Sequence, residues 1–217
     1  MEEESPQEGR IIPVQAEPRG GALWALWAAA TAAGWAVTGA CAGALAQENA
    51  GLLLYAFVPL SAVGQWLVLR RHFAWASIWL LATVGGTLVA AIAFAILLAL
   101  PTDLLGPPTS GVRYGLSTII DGFALGIAQW LVLRRSVSGM DRWIPATGIP
   151  LWMRAFTELQ RGFQPPPAND MLDVLEYGDR IAILALDLGV VGLLIGSLTG
   201  AVLAWMVDQP RKWEEEA

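Results

Sequence analysis

Five apolar stretches, each close to 20 residues or longer and each holding at most one charged residue, dominate the sequence. They are Gly20–Ala46, Leu52–Leu69, Ala74–Leu100, Tyr114–Leu133 and Ile181–Val207. A bilayer hydrocarbon layer about 30 Å thick needs about 20 apolar residues of helix to cross it. The helices of a soluble protein carry a polar stripe, which these stretches lack. The pattern therefore predicts an all-α, polytopic membrane helical bundle.

Charge is concentrated in the terminal segments. Hydrophobic residues make up 55% of the chain and charged residues 15%, against about a quarter charged in soluble domains. Of the 19 acidic residues, five lie in residues 1–19 and four in residues 208–217, so the net charge of −6 belongs largely to the tails. We expect an acidic tail over 1–19, a membrane domain over 20–208 and a charged tail over 209–217. The acidic balance argues against a nucleic-acid partner.

An internal repeat organises the apolar region. Ser61–Arg71 reads SAVGQWLVLRR and Leu125–Arg135 reads LGIAQWLVLRR. The pattern W-x-x-A-T begins at Trp27, Trp79 and Trp143. The order of a W-x-x-A-T segment followed by a returning helix predicts three helical hairpins, at about 20–71, 72–135 and 136–208. The third copy ends in Ala204-Trp205, without the glutamine or the arginine pair.

The two Gln-Trp-Leu-Val-Leu-Arg copies carry a resemblance. The chain is similar to a group of uncharacterised bacterial integral membrane proteins with repeated segments of this kind. The resemblance covers most of 27–205 and is sharp only in those two copies. It implies membership of that group and little about activity.

Arginine and tryptophan mark one interface of the predicted bundle. Arginines at helix ends reach the headgroups, and indole rings favour the same depth. The predicted interface belt consists of Trp66, Arg70, Arg71, Trp130, Arg134 and Arg135. With Arg142 on the same face and only Arg113 opposite, the positive-inside rule predicts a multi-pass protein of the bacterial cytoplasmic (inner) membrane, its N-terminus in the cytoplasm.

The segment 143–163 decides between five and six membrane crossings. Trp152, Phe156, Leu159 and Phe163 can form the apolar stripe of an interfacial helix, which gives five crossings. Alternatively the segment crosses, and its Arg154 then needs a counter-charge. Counting about 1.5 Å per residue places Arg154 near the level of Asp121 and Asp187. We favour six helices.

Polar residues within the apolar stretches are the candidate sites. Asp121, Arg154 and Asp187 form a candidate intramembrane charge cluster, either a structural lock or an ion or proton site. Gln65 and Gln129 are candidate polar contacts, either bonds between helices or ligand contacts.

Closely spaced glycines predict helix packing, within the chain or against another subunit. These residues are Gly39, Gly43, Gly122, Gly126, Gly192, Gly196 and Gly200.

Reactive groups are scarce. His72 is the single histidine and Cys41 the single cysteine, and the sequence has no Ser-His-Asp pattern, phosphate-binding loop or zinc spacing. We therefore expect no enzyme activity, catalytic residue, metal or cofactor. The leading hypothesis is a non-catalytic membrane scaffold or accessory subunit, with lipids and other membrane subunits or a second copy as partners. The alternatives are a small transporter or substrate-binding component that uses Asp121 and Asp187, and a lipid- or pigment-binding membrane protein.

Overall fold

A computed structural model describes residues 20–45, 50–73, 76–106, 111–134, 140–162 and 177–207, and these residues are helical or in short turns. The helices are α1 Gly20–Leu45, α2 Ala50–Leu69, α3 Ala76–Ala99, α4 Thr102–Leu105, α5 Gly111–Leu133, α6 Trp143–Gly162 and α7 Tyr177–Val207, with a 3₁₀ turn Met140–Arg142 before α6. The two predicted tails and Arg135 lie outside the described residues.

Four helices are long and apolar enough to cross a membrane. They are α1, α3, α5 and the part of α7 from Ile181 to Val207, while α2 has a shorter apolar segment, Tyr55–Leu69. The prediction of an all-helical chain of membrane type is confirmed at this level. Helix α6 is the least apolar of the six long helices because it carries Arg154 and further polar residues.

The six long helices form a closed cycle of neighbours. Each of α1, α2, α3, α5, α6 and α7 packs on the next, and α7 returns to pack on α1, the most extensive of these interfaces. Helices α5 and α6 run antiparallel along their length. Gly126 lies against Ile144, Gly122 against Trp152, and Gly115, near the start of α5, against Leu159. Helix α6 is therefore an integral member of the bundle.

Glycines allow the close approach of α1 and α7. A Cβ added at Gly196 would lie 2.8 Å from Ala28 Cα, and one at Gly192 would lie 2.6 Å from Trp35 Cβ. Gly200 faces Trp24 and Trp27 in the same way. A side chain at these positions would push the helices apart, so the predicted glycine face of α7 is used within the chain.

An arginine caps the end of α3. The last four carbonyls of a helix have no partner within the helix. Arg113, fully buried on α5, donates hydrogen bonds to the carbonyls of Leu97, Leu100 (2.9 Å) and Pro101 (3.1 Å). Its Nε also donates to the carbonyl of Gly106 (2.9 Å), a residue whose φ of 77° suits glycine. The end of α3 is thereby fixed to α5.

Candidate functional site

Three indole rings meet at the centre of one end of the bundle. Trp27, Trp79 and Trp143 are each 0% exposed. Their ring centroids lie 5.3–6.1 Å apart, and all three pairs pack edge to face, the arrangement that aromatic quadrupoles favour. We call these three residues the tryptophan core. Leu69, Leu133 and Leu203 surround it and are fully buried.

Two glutamines connect the tryptophan core to neighbouring helices by the same pair of bonds. Gln65 accepts from Trp79 Nε1 (3.0 Å) and donates to Thr31 Oγ1 (3.1 Å). Gln129 accepts from Trp143 Nε1 (3.1 Å) and donates to Thr83 Oγ1 (3.1 Å). Each buried amide thus joins three helices and uses both its oxygen and its nitrogen. Both predicted polar contacts are groups bonded within the chain.

The third tryptophan has a different partner. Trp27 Nε1 donates to Thr199 Oγ1 (2.8 Å), and the Thr199 hydroxyl donates to the carbonyl of Ile195 (2.7 Å). Thr199 precedes the buried Leu203 by four residues, as Gln65 precedes Leu69. The sequence has no glutamine before Trp205, and in the structure Thr199 accepts the indole hydrogen bond that Gln65 and Gln129 accept elsewhere. Threonine has no second polar group to reach across, and the buried hydroxyl of Thr147 has no hydrogen-bond partner within the described residues.

Arginines cover three outer tryptophans at the same end of the bundle. The guanidinium of Arg70 lies 4.8 Å from the ring centroid of Trp66, and that of Arg134 lies 4.7 Å from that of Trp130. Arg142 lies 4.7 Å from the ring centroid of Trp205. Arginine over an indole face is a favourable cation–π contact. The sequence has Gln209 rather than an arginine four residues after Trp205, and this ring is covered from the turn before α6.

Of the other two arginines of the predicted belt, Arg71 is exposed beside Arg70 and His72, and Arg135 lies outside the described residues.

The predicted charge cluster divides into two separate sites. Arg154 Nη2 forms an ion pair with Asp187 Oδ2 at 2.9 Å, which joins α6 to α7. Within the described residues Asp121 has no ion pair. Both of its carboxylate oxygens instead lie 3.0 Å from the hydroxyl of Tyr55.

Aromatic rings surround the bond between Tyr55 and Asp121. The centroid of Tyr55 lies 5.6 Å from that of the buried Phe94, which lies 5.7 Å from that of Tyr114. Sequence analysis missed Tyr55. The only available signal was a single phenol in an apolar helix, a group that needs a polar partner when it is buried.

Three more of the predicted packing glycines lie at helix interfaces. Gly39 faces the backbone of Leu184, and a Cβ at Gly126 would lie 3.3 Å from Ile144 Cα. A Cβ at Gly122 would lie 2.7 Å from Trp152 Nε1, and Gly43 is buried in α1.

The bundle contains a small internal cavity and an open apolar hollow. The cavity has a volume of about 20 Å³ and lies among residues of α1, α2, α3, α5, α6 and α7, between the tryptophan core and an apolar layer. The hollow, about 470 Å³, lies on the outer face of α6. Neither is lined by Asp121 or Asp187.

The chain matches no known protein family, no curated protein and no solved structure. Most of the polar side chains in the centre are bonded to one another, and the residues that line the central cavity carry no charge.

Proposed function

We propose that this chain is a non-catalytic membrane scaffold or accessory subunit, which binds a partner membrane protein at the face formed by α6 and α7. The observation that carries the proposal is the ion pair between Arg154 and Asp187. Its side chains are 26% and 49% exposed, although both residues lie well inside the bundle's length.

Three related hairpins and six crossings are the arrangement on which the proposal rests. The recurring bonds of Gln65 and Gln129, and the matching position of Thr199, support three related units. The antiparallel packing of α6 along α5 supports a crossing by α6. The arginines above Trp66 and Trp130 support a cytoplasmic location for the tryptophan end.

The depth of the ion pair makes its exposure unfavourable in lipid. Arg154 lies eleven residues after Trp143, or about 16 Å along the helix, in a hydrocarbon layer of about 30 Å. Charged groups at such depth ordinarily face a bundle interior or water rather than lipid. A partner helix that covers Arg154 and Asp187 would supply that interior.

The apolar hollow lies on the outer face of the same helix, α6. It is lined by Ile149, Trp152, Met153, Phe156 and Thr157. Thr157 of this lining follows Arg154 by three residues, a spacing that makes side chains neighbours on a helix, so the hollow adjoins the ion pair. A partner helix with a bulky apolar residue beside a polar one is complementary to this face.

Site-specific photocrosslinking in native membranes tests the proposal. A photoreactive residue at Met153, 63% exposed, should capture a protein, whereas one at Leu88 on α3, 60% exposed, should not. Lipid adducts alone at both positions, together with a stable monomer that carries no co-purifying protein in mild detergent, would contradict a scaffold role. They would favour lipid binding instead.

A variant without the ion pair provides the matched control. The double substitution Arg154→Met with Asp187→Leu removes both charges, so insertion should be retained. Partner retention during purification should fall. Unchanged retention would exclude the ion pair as the recognition feature.

A small proton-coupled transporter is the second candidate, favoured by the contact between Tyr55 and Asp121. A partly buried carboxylate that has a phenol as its hydrogen-bond partner is a group able to exchange a proton. In liposomes containing a pH-sensitive dye, the wild-type protein should then conduct protons. Asp121→Asn should insert normally and abolish that flux, whereas loss of assembly in this variant would favour a structural role.

A further inference from the structure

We infer that the central cavity binds one water molecule, which replaces the missing third glutamine by bonding to Thr147 and Thr199. Gln65 connects the indole of Trp79 to a threonine hydroxyl, and Gln129 does the same for the indole of Trp143. At the third tryptophan, Thr199 bonds to the indole of Trp27 but does not bond to Thr147.

The polar surroundings favour water at this position. Thr147 is 3% exposed, its hydroxyl has no partner within the described part of the chain, and it lines the cavity together with Thr199. Other polar groups in the lining come from Ser61, Gln65 and Gln129. A buried water ordinarily makes two to four hydrogen bonds to such groups.

The cavity volume limits the ligand. One water molecule needs about 10–15 Å³ of space open to its centre, and the cavity offers about 20 Å³. An organic ligand does not fit. Its lining residues include no carboxylate, so a cation there would remain uncompensated, at a large cost in desolvation.

The inference is tested by whether Thr147→Val lowers or raises the stability of the bundle. Thr147→Val preserves shape and removes the hydroxyl. If water joins Thr147 to its neighbours, the variant loses hydrogen bonds, and its unfolding equilibrium constant should rise roughly two- to tenfold in detergent titration. Thr83→Val, which loses the observed bond from Gln129, is the matched control and should change in the same direction. A neutral or more stable Thr147→Val would overturn the inference, because removal of an unhydrated buried hydroxyl relieves an unsatisfied group.

Direct observation supplies the second measurement. A high-resolution structure should show one solvent peak within hydrogen-bond distance of Thr147 Oγ1, and Thr199→Gln should displace it. Absence of the peak, where other ordered waters are visible, would overturn the inference. Greater stability in sodium or potassium chloride than in choline chloride would also overturn it, since it would indicate a cation.

Discussion

Arg113 Nη2 donates a hydrogen bond to the carbonyl of Leu100 over 2.9 Å and thereby ties the start of α5 to the end of α3. The same guanidinium bonds to the carbonyls of Leu97, Pro101 and Gly106. A planar group with five donors can serve several carbonyls at once, which an ammonium cannot do with the same geometry.

Arg113→Met should therefore be strongly destabilising. The apolar side chain leaves several helix-end carbonyls without their donor, and hydrogen bonds to a charged group contribute about 1.5–3 kcal/mol each. Arg113→Lys should restore only part of the loss. The free energy of unfolding, measured by detergent titration with tryptophan fluorescence, should fall from wild type to Arg113→Lys and further to Arg113→Met. Equal stability of all three would show that the cap is dispensable.

Gln129→Leu should destabilise the bundle at the tryptophan core. The indole N–H of Trp143 and the hydroxyl of Thr83 both lose their bond to this amide, at about 1–3 kcal/mol for each buried group left unsatisfied. Near-ultraviolet circular dichroism should weaken as the indoles lose their fixed packing. Leu131→Ala, at an exposed position two residues along α5, is the control and should leave the near-ultraviolet spectrum intact.

Gly196→Ala should loosen the interface between α1 and α7. The new Cβ would lie 2.8 Å from Ala28 Cα, a backbone atom that cannot move alone, and such overpacking costs about 1–3 kcal/mol. The matched variant is Gly85→Ala on α3, where nothing lies within 4 Å of the added Cβ. That change should stabilise by up to about 1 kcal/mol, because alanine is the better helix former. The two variants should shift thermal unfolding in opposite directions.

Single-cysteine labelling should distinguish six crossings from five. In a Cys41→Ser background, cysteines replace the exposed residues His72, Asp103 and Asp179 one at a time. With six crossings, an impermeant maleimide should label positions 103 and 179 from the same side and position 72 from the other. Labelling of 179 together with 72 would instead support an α6 that remains on the membrane surface.

The sequence was most informative where length and composition decide the structure. The apolar stretches predicted α1, α3, α5 and α7 to within a few residues, because lipid leaves few alternatives to a long helix. Gln65 and Gln129 stood out as polar residues among small ones. Each glutamine also bonds to a tryptophan fourteen residues later in the chain. This bond could not be predicted, because it depends on how the following helix packs.

Contacts across distant helices were beyond sequence reasoning. Counting depth along each helix placed Asp121, Arg154 and Asp187 at one level but gave no rotation about the helix axes. Rotation separates Asp121, which meets Tyr55, from the pair between Arg154 and Asp187. The sequence comparison also missed Thr199, because it followed Trp205. The bond from Trp27 to Thr199 depends instead on how α7 packs around Leu203.

The most extensive helix interface joins α1, the first described helix, to α7, the last. During synthesis α1 emerges long before α7. The surface of α1 that packs on the glycines of α7, and the indole N–H of Trp27 that donates to Thr199, therefore lack their partners until most of the chain has been translated. The cycle can close only late. We therefore expect biogenesis to pass through an open state, in which the side of α1 that packs on α7 faces lipid until α7 is inserted.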